Sequence, residues 1–207
     1  MTSSRKFYRR PDARPDEILD AALALFLEDG IQRTRVADIA ARAGISKGAI
    51  YLYFPSKDAL VLALVRRRVT PVVQRIVDLL DTATGDPRPT LGAVLQIIID
   101  GFLGEENQGV PKILLREAPI SPEVVTIYRR EMVERVMPLL TALVARGVAE
   151  GHIRPVDPVL TIQSVFGPVF LQMSLGNILG IGPPEGGLQA LADNHMMILT
   201  AGLAPER

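Results

Sequence analysis

The sequence predicts an all-α protein, and three observations carry that prediction. Apolar residues recur throughout with the helical period, and no stretch alternates as a half-buried strand would. Capping side chains stand directly before prolines at Ser121-Pro122 and Asp157-Pro158, the order that starts a helix. Near the N-terminus, two short helical patterns flank a glycine turn in the proportions of a helix-turn-helix. At 207 residues and 48% hydrophobic content, the chain can bury a sizeable core as one large domain or two small ones.

A basic arm, residues 1–14, precedes a first helix expected over 15–29, where Asp16 and Glu17 favour the start and Gly30 marks the end. In the next helix Val36, Ile39, Ala40 and Ala43 share one apolar face, and Gly44 ends it. Ser46 caps a second helix that Ile50 and Phe54, four apart, anchor to the core. Lys47, Gly48, Ala49, Tyr51 and Leu52 are left for another surface. A longer helix follows over 56–80 with Pro71 inside, where a kink is expected, and a Thr, Gly and Pro-rich segment at 82–89 stops it. Further helices are expected near 89–103, 110–118, 122–150, 158–179 and 185–203. In the longest of these, Val125, Tyr128, Met132, Val136, Leu139, Leu140 and Leu143 keep one stripe. There is no internal repeat.

A helix-turn-helix is built to grip DNA, and the residues at its exposed positions suit that task. Lys47 and Gly48 open the second helix, where base edges are approached and a missing side chain allows close contact. Tyr51 is the expected base-facing aromatic. In the arm, Arg5, Lys6, Arg9, Arg10 and Arg14 either follow the minor groove or form a solvated tail.

Phe26, Gly30, Thr34, Val36, Asp38-Ile39-Ala40, Ala43-Gly44, Ser46-Lys47-Gly48, Tyr51, Tyr53-Phe54 and Ser56-Lys57 together resemble the signature of the TetR family of transcriptional regulators. The likeness covers about a quarter of the chain. It implies an N-terminal three-helix DNA-binding domain over 15–57, followed by an antiparallel helical ligand-binding and dimerisation domain over 58–207. Tyr53 and Lys57 match family positions that bind phosphate. Two departures fall where the family touches DNA: Arg35 and Ala49 each stand where Thr is usual. Arg35 offers a charged phosphate contact in place of a hydroxyl, leaving Thr34 as the local capping side chain, and Ala49 retains a methyl group for thymine. The expected DNA-binding set is thus Thr34, Arg35, Ser46, Lys47, Gly48, Ala49, Tyr51, Leu52, Tyr53 and Lys57. The resemblance further implies a homodimer on a palindromic operator of double-stranded DNA, released when a small-molecule effector tilts the helix that starts at Ser56.

Composition narrows the remaining classes. Residues 1–57 carry ten Lys/Arg against seven Asp/Glu, and the rest thirteen against sixteen, so a neutral chain places its positive excess on the DNA reader. Without cysteine, neither a disulfide nor a thiolate metal site can form, and a basic, polar N-terminus points to a cytoplasmic protein. His152 and His195 are isolated in sequence, so no metal site is expected. No nucleophile, phosphate-loop or paired-carboxylate motif suggests an enzyme or a cofactor. Arg66-Arg67-Arg68 cannot share one helix face and is expected to be mostly solvated.

The uncharged run over 158–184 is long enough for a membrane span, yet polar residues and glycines interrupt it and no basic cluster flanks it. Burial against a second copy is expected instead, through helices near 158–180 and 185–203. Val159, Ile162, Val165, Phe166, Val169, Phe170, Met173, Ile178 and Leu179 cover more of a helix circumference than one core can bury, and the surplus, continued by Leu188, Leu191, His195 and Leu199, is expected to pack on the second copy, with Val169 near its centre. Phe102, Tyr128, Met132, Phe166, Phe170 and Met173 either line a cavity for an apolar ligand or form plain core. Arg116, beside Glu117, either joins an internal ion pair or meets an ionic head group. The alternative to a ligand-responsive regulator is a constitutive DNA-binding dimer with no pocket.

Overall fold

The computed structural model describes residues 14–103, 125–126 and 128–205, and among these every regular element is helical. They divide into two compact units, Met1–Leu64 and Val65–Arg207, so the division falls inside a helix rather than at the expected 57/58 boundary.

The first unit is built from three helices and the start of a fourth. Helix α1, Arg14–Asp29, carries Asp16 and Glu17 in its first turn and buries Ile18, Leu19, Ala22 and Phe26. Helix α2, Val36–Arg42, buries Ile39 and Ala40. Its N-cap is Arg35, whose backbone N–H donates to the Asp38 carboxylate at 3.3 Å, half of a capping box. The expected capping role of Thr34 is corrected: its hydroxyl donates to the carbonyl of Gly30 at 2.7 Å and the side chain is buried. Helix α2 ends on Gly44 at φ +67°, with the N–H of Gly44 bonded to Ala41 and that of Ile45 to Ala40. This paired arrangement needs a left-handed residue, and glycine takes it without a Cβ clash. The turn passes directly to helix α3, Lys47–Tyr53, whose N-cap Ser46 accepts from the N–H of Ala49 at 3.1 Å. Ile50 and Phe54 are both buried, as their spacing predicts. Helix α4, Lys57–Thr82, starts on Ser56, which accepts from the N–H of Ala59, and runs unbroken through Pro71.

Among the described residues, the second unit contains the rest of α4 and four further α-helices. Helix α5, Pro87–Ile98, begins two residues before the expected start because Asp86 caps it, accepting from the N–H of Arg88 at 3.0 Å. Asp86-Pro87 is the same signature as Asp157-Pro158, so this start was readable. The Arg88 guanidinium, hydrogen-bonded to Asp86, holds its carboxyl below the usual range. Beyond Ile98 the backbone widens into a π-helical turn, Ile99–Leu103, and a second one, Arg129–Val133, leads into helix α6, Glu134–Ala149. The helix expected over 110–118 lies outside the described residues, as does Arg116. A methyl group at Gly147 in α6 would collide with the ring of Pro87, so the glycine lets α6 and α5 approach closely.

Helix α7, Pro158–Leu179, is capped by Asp157 as predicted, and helix α8, Gly187–Gly202, begins two residues later than expected. Leu95, Ile99, Val169 and Ala192 form a buried cluster from α5, the first π-turn, α7 and α8, with Phe166, Met173 and Met196 packed against it. The expected place of Val169 at the centre of the subunit interface is thereby corrected. Ile162, Val165 and Val169 are buried in their own chain, since a single helix can turn one face inward while its opposite face stays apolar. The uncovered face of α7 instead presents Leu160, Phe170, Leu171 and Ile178, interleaved with the small residues Ser164 and Gly167. On α8 the exposed apolar residues are Met197 and Ile198, whereas Leu188, Leu191, His195 and Leu199 are half-buried. His195 bonds to the carbonyl of Ser164 at 2.9 Å, tying α8 to α7.

The arginine run is also corrected. Arg66 donates through Nε and Nη2 to Glu131 Oε1 at 3.2 and 3.1 Å, and Arg130 donates to the same oxygen at 3.0 Å. Arg67 and Arg68 are half-buried. One carboxylate between two guanidinium groups fixes the second π-turn to α4 and holds the Glu131 carboxyl below its usual range.

Candidate nucleic-acid interface

Helix α3 has one face rooted in the core by Ile50 and the other open to solvent. On the open face Leu52 is 84% exposed, and Tyr51 and Tyr53 are more than two-fifths exposed. Three neighbouring large apolar side chains left in water by a seven-residue helix form an exposed patch of the kind that marks an interaction surface. The ammonium of Lys47 lies 5.9 Å from the centre of the Tyr51 ring, an exposed cation–π contact that sets a positive charge beside the aromatic.

Gly48 sits in the first turn of α3 with no structural demand for glycine. Its φ is not positive, and a β-carbon would meet nothing nearer than Ser46 Oγ at 4.0 Å. The space it leaves faces outward. Ala49 is half-buried, and Ser46 is exposed although its Oγ is engaged in capping. A cleft beside this helix is lined by Arg14, Ala41, Gly44, Ile45, Ala49 and Tyr53, among others. Ile45 carries no signal in the sequence that marks it for this surface, and Arg14, expected in the arm, is instead the first residue of α1, which brings it to the cleft.

Arg35 is exposed at the N-cap of α2, and its guanidinium makes no hydrogen bond or ion pair among the described residues. Arg42 of α2 pairs with Glu28 of α1 at 2.7 Å, a hydrogen bond that holds the Glu28 carboxyl below its usual range. Two expected DNA contacts face elsewhere. Thr34 is only 3% exposed and cannot reach a partner. Lys57 donates to the carbonyls of Ile31, Gln32 and Thr34 at 2.9, 3.3 and 3.4 Å, turned toward its own chain.

The candidate ligand residues of the second unit are brought together only in part. Phe166 and Met173 pack on the α5–α7–α8 cluster, and Tyr128 and Met132 are half-buried around the second π-turn. Burial pushes the Tyr128 hydroxyl up to about 12. Phe170 is corrected: it points away from that cluster and is 60% exposed. The side chain of Phe102 lies outside the described residues.

Comparison with known proteins agrees with this division into a reader and a helical second unit. Residues 18–64 match the model for bacterial regulatory proteins of the tetR family, and residues 81–178 match the tetracyclin repressor-like C-terminal domain. The transcriptional repressor KstR2 of Mycobacterium tuberculosis is 30% identical over 147 residues, 70% of this chain and 71% of the relative. The fatty acid metabolism regulator protein of Bacillus subtilis is 26% identical over 156 residues, 74% of this chain and 78% of the relative. Among solved structures, FadR of Bacillus subtilis in complex with stearoyl-CoA superposes with a TM-score of 0.71 at 22% identity, covering 91% of this chain and 98% of that one. The complex of SmeT with triclosan, from Stenotrophomonas maltophilia, gives 0.75 at 23% identity, covering 94% and 93%. With both halves matched in order and the reading helix exposed as described, the chain belongs to the TetR family of transcriptional regulators.

Proposed function

We propose that this protein is a ligand-responsive transcriptional repressor that binds a palindromic operator as a homodimer. The observation that carries the reading is the exposed surface of α3, which leaves Tyr51, Leu52 and Tyr53 in water, sets Lys47 beside the Tyr51 ring and keeps the space outside Gly48 open. Such a face combines a phosphate-seeking charge with groups that fit base edges and thymine methyls. A palindrome demands two readers related by a two-fold axis, and the apolar faces of α7 and α8 are the surfaces through which two copies pair.

The proposed effector is mostly apolar, and a fatty acyl thioester is the class to test first. Two supports point there: the Phe166, Met173 and Met196 side chains that fringe the second-unit core, and relatives named for fatty acid metabolism. In this reading the effector binds the second unit and favours a position of α4 in which the two readers no longer match the operator. It can act only by binding that state more tightly than the DNA-competent one.

The experiment selects duplexes from random DNA with the full chain, then titrates stearoyl-CoA against the complex while following fluorescence anisotropy. Selection of an inverted repeat, followed by release at micromolar ligand, is the expected result. Selection without release by this or other acyl thioesters would leave a constitutive DNA-binding dimer. Failure to select any duplex would remove the regulator reading itself.

A further inference from the structure

The placement of Lys57 differs from that of a phosphate ligand, and its chemistry explains why. A lysine ammonium has three N–H donors, and here all three lie within reach of carbonyl oxygens of one short segment, those of Ile31, Gln32 and Thr34. The residue stands at the first position of α4, where the positive end of the helix dipole disfavours a cation. A cradle of three carbonyls offsets that repulsion and gives the charge a reason to turn back into the protein. The inner side of the same segment is held by Thr34, whose hydroxyl donates to Gly30 and whose N–H donates to the same carbonyl at 3.2 Å. With both sides fixed, the group this segment presents outward at the start of α2 is Arg35, exposed and without a partner among the described residues.

We propose that Lys57 is a positioning residue: it clamps the turn between α1 and α2 to the first turn of α4, and thereby sets how Arg35 meets a phosphate. This rests on the DNA-binding reading above. It makes Arg35, the departure from the family pattern, the group that touches DNA, and Lys57 the group that aims it. A displacement of the start of α4 then pulls on the 31–34 turn through this ammonium. Binding a phosphate with Lys57 instead would strip three carbonyls of their donor.

The test uses the full chain as Lys57→Met, Arg35→Ala and the double variant, on a duplex selected by the parent protein. In the absence of DNA, amide hydrogen exchange over residues 31–36 should speed up by about tenfold or more in Lys57→Met, with α3 unchanged. On DNA, Arg35→Ala should weaken binding about fivefold in the parent and less than about twofold in the Lys57→Met background, because the clamp no longer aims the arginine. The opposite pattern overturns the proposal: unchanged exchange, losses that multiply in the double variant, and a salt slope lowered by about one per subunit for Lys57→Met alone. Should Lys57→Met fail to fold, Lys57→Arg keeps the charge but replaces the three-way donor by a planar fork that does not fit the cradle. Faster exchange at 31–36 with weaker binding supports the clamp, and parent-like exchange with full affinity refutes it. A parent protein that selects no duplex removes the functional reading, and the exchange measurement then decides the clamp by itself.

Discussion

The reading helix α3 and the outer face of α7 both leave large apolar side chains in water, yet they are suited to opposite partners. Lys47 stands beside Tyr51, the polar cap Ser46 opens the same helix, and Arg35 is exposed at the start of the neighbouring one. Around Leu160, Phe170, Leu171 and Ile178 there is no charge within α7 at all, only uncharged polar residues and glycines between the apolar positions. A nucleic-acid surface is wet, anionic and read through both charge and apolar contact, so its complement mixes the two. A subunit interface excludes water at its centre and is depleted of charge there. In the proposed reading exposure marks a surface for a partner, and the neighbouring charges distinguish DNA from a second copy of the chain. The same lack of charge lets α7 meet the length and composition of a membrane span, but one of its faces is already buried under Leu95, Ile99 and Ala192.

The sharpest way to break this comparison is to place the same charge on the two sides of α7. Val169 is 2% exposed and Leu171 is 58% exposed, two residues apart on one helix. Val169→Asp should unfold the second unit, since a buried, unpaired carboxylate costs on the order of 3–5 kcal/mol. Leu171→Asp should keep the helical circular-dichroism signal but sediment as a monomer and lose specific DNA binding by about a hundredfold or more, through a surface far in sequence from the reader. A folded Leu171→Asp dimer with intact operator binding would show that α7 pairs with something else.

A smaller effect is expected at the reader. Tyr51→Ala should leave the melting temperature close to that of the parent, because the ring is exposed, while changing base preference at one position per half-site by about 1–3 kcal/mol. Competition with singly substituted duplexes checks it, and equal losses on operator and random DNA would reassign Tyr51 to a phosphate or packing role.

The smallest effect separates the tyrosines of the two units. Tyr51 and Tyr53 are exposed, whereas burial raises the Tyr128 hydroxyl to about 12. The folded chain holds this proton more tightly than the unfolded chain, whose tyrosine titrates near 10. The resulting stability is complete below pH 10 and is lost as pH rises from 10 through 12. Urea midpoints should accordingly fall across that window, and Tyr128→Phe, which cannot ionise, should flatten the fall. An identical decline in both proteins would place the alkaline sensitivity elsewhere.

Much of the reader was legible before any coordinates, because its signals are local. A glycine where a left-handed residue must follow α2, a serine three residues before the amide it caps, and Ile50 and Phe54 one turn apart each act within a few residues. Asp157-Pro158 and Asp86-Pro87 start their helices by the same short-range rule, and the second was readable although the expected helix began at Pro89. Residue types and order also determined the family likeness, the all-helical class and the unusual apolarity of the 158–179 helix.

Tertiary structure alone decided which way side chains face when periodicity is silent. Along α7, apolar residues occupy nearly the whole circumference, so the pattern cannot distinguish Val169, sealed by α5 and α8, from Phe170 and Leu171 beside it. Thr34 and Lys57 carry polar groups that suit DNA equally well, but the carbonyl of Gly30 claims the Thr34 hydroxyl, and the turn at 31–34 folds back against α4 and supplies the carbonyls that claim Lys57. Arg66 found Glu131, sixty-five residues away, in the same manner. Hydrogen-bond partners distant in sequence are fixed by where helices cross, and no short-range pattern in the chain encodes that geometry.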